Sequence, residues 1–140
     1  VSSHESENYT FLTGVGFEHF IADDLSLVTQ FNAAYVDQVG DNAWGANVVF
    51  LFRWHFYTQE TWSAYVEAGA GLALFTEDVP TTGSDFNFTP QAAMGMTFDI
   101  GNDNRAFLAA GWHHISNAQT FDDNPGRDSF ILHFGISMPF

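Results

Sequence analysis

The sequence predicts an all-β chain, a transmembrane antiparallel β-barrel that forms one domain over residues 1–140. Three observations predict it. Large apolar residues alternate with small or polar ones at period two along seven stretches. The face opposite the aromatic rows is mostly Gly, Ala, Ser, Asn, Gln and Thr, which suits the crowded lumen of a narrow barrel, whereas the bulky rows suit a lipid-facing belt. The gaps between stretches alternate short and long, as periplasmic turns and external loops do.

The first two stretches are the weaker ones. Tyr9, Phe11, Val15 and Phe17 share a face, as do Leu25, Leu27, Phe31, Ala33 and Tyr35. The third is the clearest. Trp44, Ala46, Val48, Phe50, Phe52, Trp54 and Phe56 oppose Gly45, Asn47, Val49, Leu51, Arg53, His55 and Tyr57. In the fourth, Trp62, Ala64, Val66, Ala68, Ala70, Leu72 and Leu74 oppose Ser63, Tyr65, Glu67, Gly69, Gly71 and Ala73. The fifth reads as one strand, with Phe86, Phe88, Pro90, Ala92, Met94, Met96 and Phe98 on its bulky face. The sixth groups Ala106, Leu108, Ala110 and Trp112, and the seventh groups Phe130, Leu132, Phe134, Ile136, Met138 and Phe140. Each stretch, at roughly 10–14 residues, is long enough to cross a bilayer at a tilt. Closure of the barrel would leave no unpaired backbone in lipid.

The gaps near Ala22-Asp23, Thr58-Gln59-Glu60 and Asn102-Asp103 are short, and those near 37–42, 76–85 and 117–127 are longer. The longer gaps hold Asp37, Asp41, Glu77, Asp78, Asp85, Asp122 and Asp123, which read as solvated loop acids. These acids are also a candidate place for a divalent cation bridging anionic lipid headgroups, although no spacing among them demands one. No other cofactor is expected. Single-chain bacterial barrels have an even strand number, and seven are readable here. A further N-terminal strand is therefore expected, and residues 1–8 do not read as one. The alternating apolar stretch that closes on Phe140 resembles the C-terminal signal of outer-membrane barrels.

Composition narrows the classes. Seventeen acids against three basic residues give a net charge of -14, which excludes a basic face for nucleic acid. Hydrophobic residues at 46% and aromatics at 17% exclude acidic disorder. The absence of cysteine excludes a disulfide scaffold, a thiolate metal site and a Cys nucleophile. No apolar run of about 18 residues is present, so no helical span is expected. Arg53, His55 and Glu67 read as an ion-pair network inside the lumen. His4, His19 and His133 have no metal-ligand spacing.

The chemistry-bearing segment follows Trp112: His113-His114-Ile115-Ser116-Asn117-Ala118, then Asn124-Pro125-Gly126-Arg127-Asp128-Ser129. His114 and Ser116 lie two apart on one strand and share its bulky, lipid-side face, as Asp128 does on the next. His113 has the opposite parity and points into the lumen. A serine beside a histidine, itself beside a carboxylate, is the arrangement that activates a hydroxyl nucleophile. At the external rim of a barrel such a site meets a substrate that lies in the outer leaflet.

The His-x-Ser-Asn-Ala run, the following Asn-Pro-Gly-x-Asp-Ser and the terminal apolar strand resemble the outer-membrane lipid A 3-O-deacylases, also called acyloxyacyl hydrolases. Tyr65-Val66-Glu67-Ala68-Gly69-Ala70-Gly71 and Asn87-Phe88 extend the resemblance upstream. It implies an eight-stranded barrel in the bacterial outer membrane with a Ser-His-acid triad on its outer wall. It also implies lipopolysaccharide as the partner, its lipid A losing an ester-linked 3-hydroxyacyl chain at position 3. Ser116 matches the nucleophile, His114 the base and Asp128 the triad acid, where a family member carries glutamate. Asn117 and Asn124 match residues near the oxyanion site, and Gln119 stands where a family member has glycine. The barrel is expected as a monomer or homodimer. Two other readings are a non-catalytic barrel with a structural or binding role and a soluble lipocalin-like carrier with inverted faces. A detergent requirement separates the carrier from the other two, and replacement of Ser116 separates enzyme from inert barrel.

Overall fold

The computed structural model of the chain describes residues 9–37, 42–79, 84–115 and 127–139. His4, Asp41, Asp122 and Asp123 lie outside the described residues. Every regular element among those described is a strand: β1 (Tyr9–Ala22), β2 (Leu25–Asp37), β3 (Ala43–Thr58), β4 (Trp62–Val79), β5 (Ser84–Phe88), β6 (Gln91–Gly101), β7 (Asn104–Ile115) and β8 (Arg127–Ser137). They form one antiparallel sheet in the order β1-β2-β3-β4-β6-β7-β8, with β5 pairing β4.

β5 and β6 are a single crossing with a gap at Thr89 and Pro90. Leu72↔Phe88 and Gly69↔Gln91 keep one register, and Gly71 and Thr89 still exchange both backbone bonds, at 3.2 and 2.9 Å. Proline has no N–H to give to the ladder, so the strand predicted as continuous is interrupted there without slipping. The seven predicted stretches are thus seven crossings. One long gap is shorter than predicted, because Val79 pairs with Ser84 and carries the β4–β5 hairpin beyond the register shift after Leu74.

The faces divide as the alternation predicts. Phe11, Val15, Trp44, Phe50, Phe52, Trp54, Leu74, Met94, Leu132 and Ile136 are all exposed, and Phe130 and Phe134 reach 78% and 79%. Rows of aromatics this open would be an aggregation liability in water but are stable against hydrocarbon. Every crossing has at least 11 residues, counting β6 alone for the interrupted one, and about 9–11 tilted residues span the apolar layer.

The opposite face turns inward, and contacts across it show that the sheet is rolled. The Arg53 guanidinium on β3 lies 5.9 Å from the Phe107 ring on β7, and His133 Nε2 on β8 lies 3.3 Å from Glu67 Oε1 on β4. Arg53 is the hub. Its Nε and Nη2 are both 2.8 Å from Glu67 Oε2, its Nη1 is 3.4 Å from Glu18 Oε2, and its guanidinium lies 4.5 Å over the Tyr65 ring. His55 extends the cluster to Glu18 at 3.5 Å and to Ser63 at 3.0 Å. The lumen network predicted from Arg53, His55 and Glu67 is therefore present, and Glu18 joins it. His113 is buried, as its parity requires.

Tyr65 is fully buried, and its register partner Gly95 makes room for it: a Cβ there would lie 2.5 Å from Tyr65 Cζ. Gly95→Val is expected to destabilise the barrel by about 1–3 kcal/mol through overpacking, read as a lower urea midpoint in detergent micelles. Retention of the parent midpoint would contradict this packing.

The short gaps are tight turns. Asn102 and Asp103 both have positive φ, 56° and 63°, the geometry of a two-residue type I′ hairpin, and Asn and Asp tolerate it. Bulges at Phe20/Ala22, His55/Tyr57 and Asp99/Gly101 all fall at this end of the strands. Among the described residues β1 and β8 are the sheet edges and are not paired with each other. Seven antiparallel crossings leave these edges running in the same direction. A wholly antiparallel closure therefore takes one further strand between them.

Candidate functional site

β7 carries His114 to the outer end of the barrel on the lipid-facing side. The residues below it on that face are Trp112, Ala110 and Leu108, of which Trp112 and Leu108 are exposed. Its backbone N–H donates to the Pro90 carbonyl at 2.9 Å, across the interruption between β5 and β6. Pro90 thus removes one ladder donor while its carbonyl still ties β7 down at the level of the site. On the other side His114 is the register partner of Asp128 on β8. Residues directly opposite in an antiparallel pair have Cα atoms about 4.5–5.5 Å apart, so the backbone brings this histidine and this acid together.

The imidazole of His114 is half-buried and stacks on the Trp112 indole, with ring centroids 5.7 Å apart and planes 22° from parallel. Sequence reasoning placed Trp112 in the lipid belt and missed this contact. The two-residue spacing puts both rings on one face but does not fix the rotamers that stack them.

Below the histidine the outer wall is hollowed. A depression of about 680 Å³ is lined by Phe52 and Trp54 on one side and by Trp112 and Phe130 on the other, with Val66, Ala68, Ala92, Met94 and Ala110 between them. Its floor follows from the register. Ala68 pairs with Ala92, which pairs with Trp112, and one step lower Val66 pairs with Met94, which pairs with Ala110, so small side chains on β4, β6 and β7 lie between the rings of β3 and those of Trp112 and Phe130. The depression is apolar, open to the side, and its upper end reaches Trp112, next to His114. These alanines were legible as outward-facing, but the groove they make depends on which strands become neighbours.

Of the predicted site residues, the structure brings His114 and the backbone of Asp128 together. Ser116, Asn117, Gln119 and Asn124 lie outside the described residues. No group of three or more His, Asp or Glu side chains placed to hold a metal ion occurs among the described residues.

An apolar groove open to the side can accommodate an alkyl chain along the barrel wall. Ala92→Trp fills the floor on the lipid side, where folding tolerates bulk. This substitution is expected to lower turnover of an acylated substrate at least about tenfold, roughly 1.4 kcal/mol of barrier, without changing heat-modifiable migration of the folded barrel in detergent gels. Full turnover by that variant would show that the groove is not used.

The family model described as lipid A 3-O-deacylase (PagL) matches residues 8–137. Among solved structures, that of the outer membrane enzyme PagL is similar over 96% of this chain and 95% of its own, with a TM-score of 0.68 and 22% sequence identity. No curated protein matches the sequence.

Proposed function

The chain belongs to the lipid A 3-O-deacylase (PagL) family of outer-membrane enzymes, and from that premise we propose that it removes the ester-linked 3-hydroxyacyl chain at position 3 of lipid A through a Ser116-His114-Asp128 triad. The observation that carries the proposal is the place of His114. It lies on the lipid-facing wall, at the head of an apolar groove, opposite Asp128 in register and two residues before Ser116.

The roles follow from the chemistry of esters. The substrate lies in the outer leaflet with its acyl chains beside the barrel, so one chain can enter the groove from the side while its ester stays at the rim. His114 takes the Ser116 Oγ proton as Oγ attacks the ester carbonyl carbon, and Asp128 fixes the imidazole tautomer and offsets the charge it acquires. Negative charge gathers on the carbonyl oxygen, where Asn117, Gln119 and Asn124 supply N–H donors. Collapse of the tetrahedral intermediate expels the sugar oxygen, which takes the proton back from His114. Water activated by the same histidine then hydrolyses the acyl-serine and releases the 3-hydroxy acid. Every step takes place on the lipid side, away from the lumen that the Arg53 network faces.

The test uses the folded protein in detergent with purified lipopolysaccharide and identifies the released acid by gas chromatography and mass spectrometry. A 3-hydroxy acid, released only from lipid A that bears an ester at position 3, is the expected result. Lack of release from such lipid A by a protein shown to be folded would overturn the proposal.

A further inference from the structure

We infer that Trp112 is a positioning residue for His114, holding the imidazole toward the rim by stacking and so raising turnover, in addition to lining the groove. The inference rests on the reading of His114 as the base.

Side chains two apart on a strand share a face, with Cα atoms about 6.6–6.8 Å apart. The two centroids are closer, at 5.7 Å, and the planes are only 22° from parallel. The rings therefore lean together rather than standing free, nearly parallel and packed against each other. The indole is itself braced unequally. Its register partners are Phe130 on β8 and Ala92 on β6, a ring on one side and a methyl on the other. That asymmetry leaves the groove open beside Ala92.

Two consequences follow for the reaction. With the indole packed against it on the groove side, the imidazole is held from folding down into the groove, where it would meet acyl chain instead of a serine hydroxyl. The positive charge that the ring carries while it holds the serine proton lies within about 6 Å of an indole centroid, a distance at which an aromatic ring attracts a cation. Both act after substrate has bound, so they enter kcat. The groove-wall role acts on the acyl chain and enters KM.

The experiment compares the parent, Trp112→Phe, Trp112→Leu and His114→Asn on lipopolysaccharide in detergent, each first shown to be folded by heat-modifiable migration. Trp112→Leu keeps an apolar wall and loses the ring. It is expected to lower kcat about tenfold or more while KM stays within about twofold. Trp112→Phe keeps a stacking ring and is expected to recover kcat to within about threefold of the parent. A Trp112→Leu variant with parental kcat, a loss confined to KM, or equal values for the Phe and Leu variants would each overturn the inference while leaving the deacylase reading intact. A parent that releases no acid, or an active His114→Asn, would overturn the reading beneath it and this inference together.

Discussion

Ser116→Ala is expected to lower the rate of 3-hydroxy acid release on the order of 10⁴-fold while leaving the barrel folded and inserted. The size follows from the division of labour in a triad. Without the hydroxyl there is no acyl-enzyme, and His114 can only assist direct attack by water, which the groove and the surrounding hydrocarbon keep dilute. Single-turnover assays on purified lipopolysaccharide, with heat-modifiable migration as the folding control, measure it. The double variant Ser116→Ala with His114→Asn should be little worse than the single one, because residues that act as a unit do not lose activity additively. A Ser116→Ala protein that keeps a tenth of the parental rate would contradict the assignment of the nucleophile.

The second large effect lies in the lumen. Arg53→Leu is expected to destabilise the folded barrel by about 3–5 kcal/mol, because it leaves Glu67 buried without its counter-charge and takes one partner from Glu18. Urea titration in micelles, followed by tryptophan fluorescence, reads this as a lower midpoint and raised unfolding rates. The triple variant Arg53→Leu, Glu67→Gln, Glu18→Gln should recover much of the loss, because the penalty belongs to the stranded carboxylates rather than to a missing attraction. A single variant as stable as the parent would mean that water, not Arg53, satisfies these acids. Since the network faces the lumen and His114 faces lipid, the residual folded fraction of Arg53→Leu should retain deacylase activity per folded molecule.

The fold was legible because a membrane barrel writes its geometry into parity. In β3, every second residue from Trp44 to Phe56 is apolar and five of the seven are aromatic, whereas the opposite face carries Asn47, Arg53 and His55, and the structure places those aromatics outside and Arg53 inside. Pro90 was visible, but its effect was not. A missing donor can end a strand or merely interrupt it, and the register on both sides of Pro90 decides for interruption. Contacts that join distant strands were the least legible. Nothing along the chain pairs Glu67 with His133, since their approach depends on how far the sheet rolls.

The site was legible to a different degree. The shared parity of His114 and Asp128 put them on one face, and the β7–β8 register makes them opposite neighbours. The groove could not be read in advance, because Ala68, Ala92 and Ala110 become one floor only when β4, β6 and β7 lie side by side. The stack of Trp112 on His114 required two rotamers that no spacing rule supplies.

Deacylation by Ser116 is tested most directly by the mass of lipid A extracted from Gram-negative cells that carry the parent chain or Ser116→Ala, with both proteins verified in the outer membrane and the host lipid A bearing a 3-hydroxyacyl ester at position 3. Lipid A from cells with the parent chain is expected to be lighter by one 3-hydroxyacyl group, and lipid A from cells with Ser116→Ala is expected to keep it. Lipid A of unchanged mass in the presence of a folded parent barrel, or equal loss with both proteins, would contradict deacylation by Ser116.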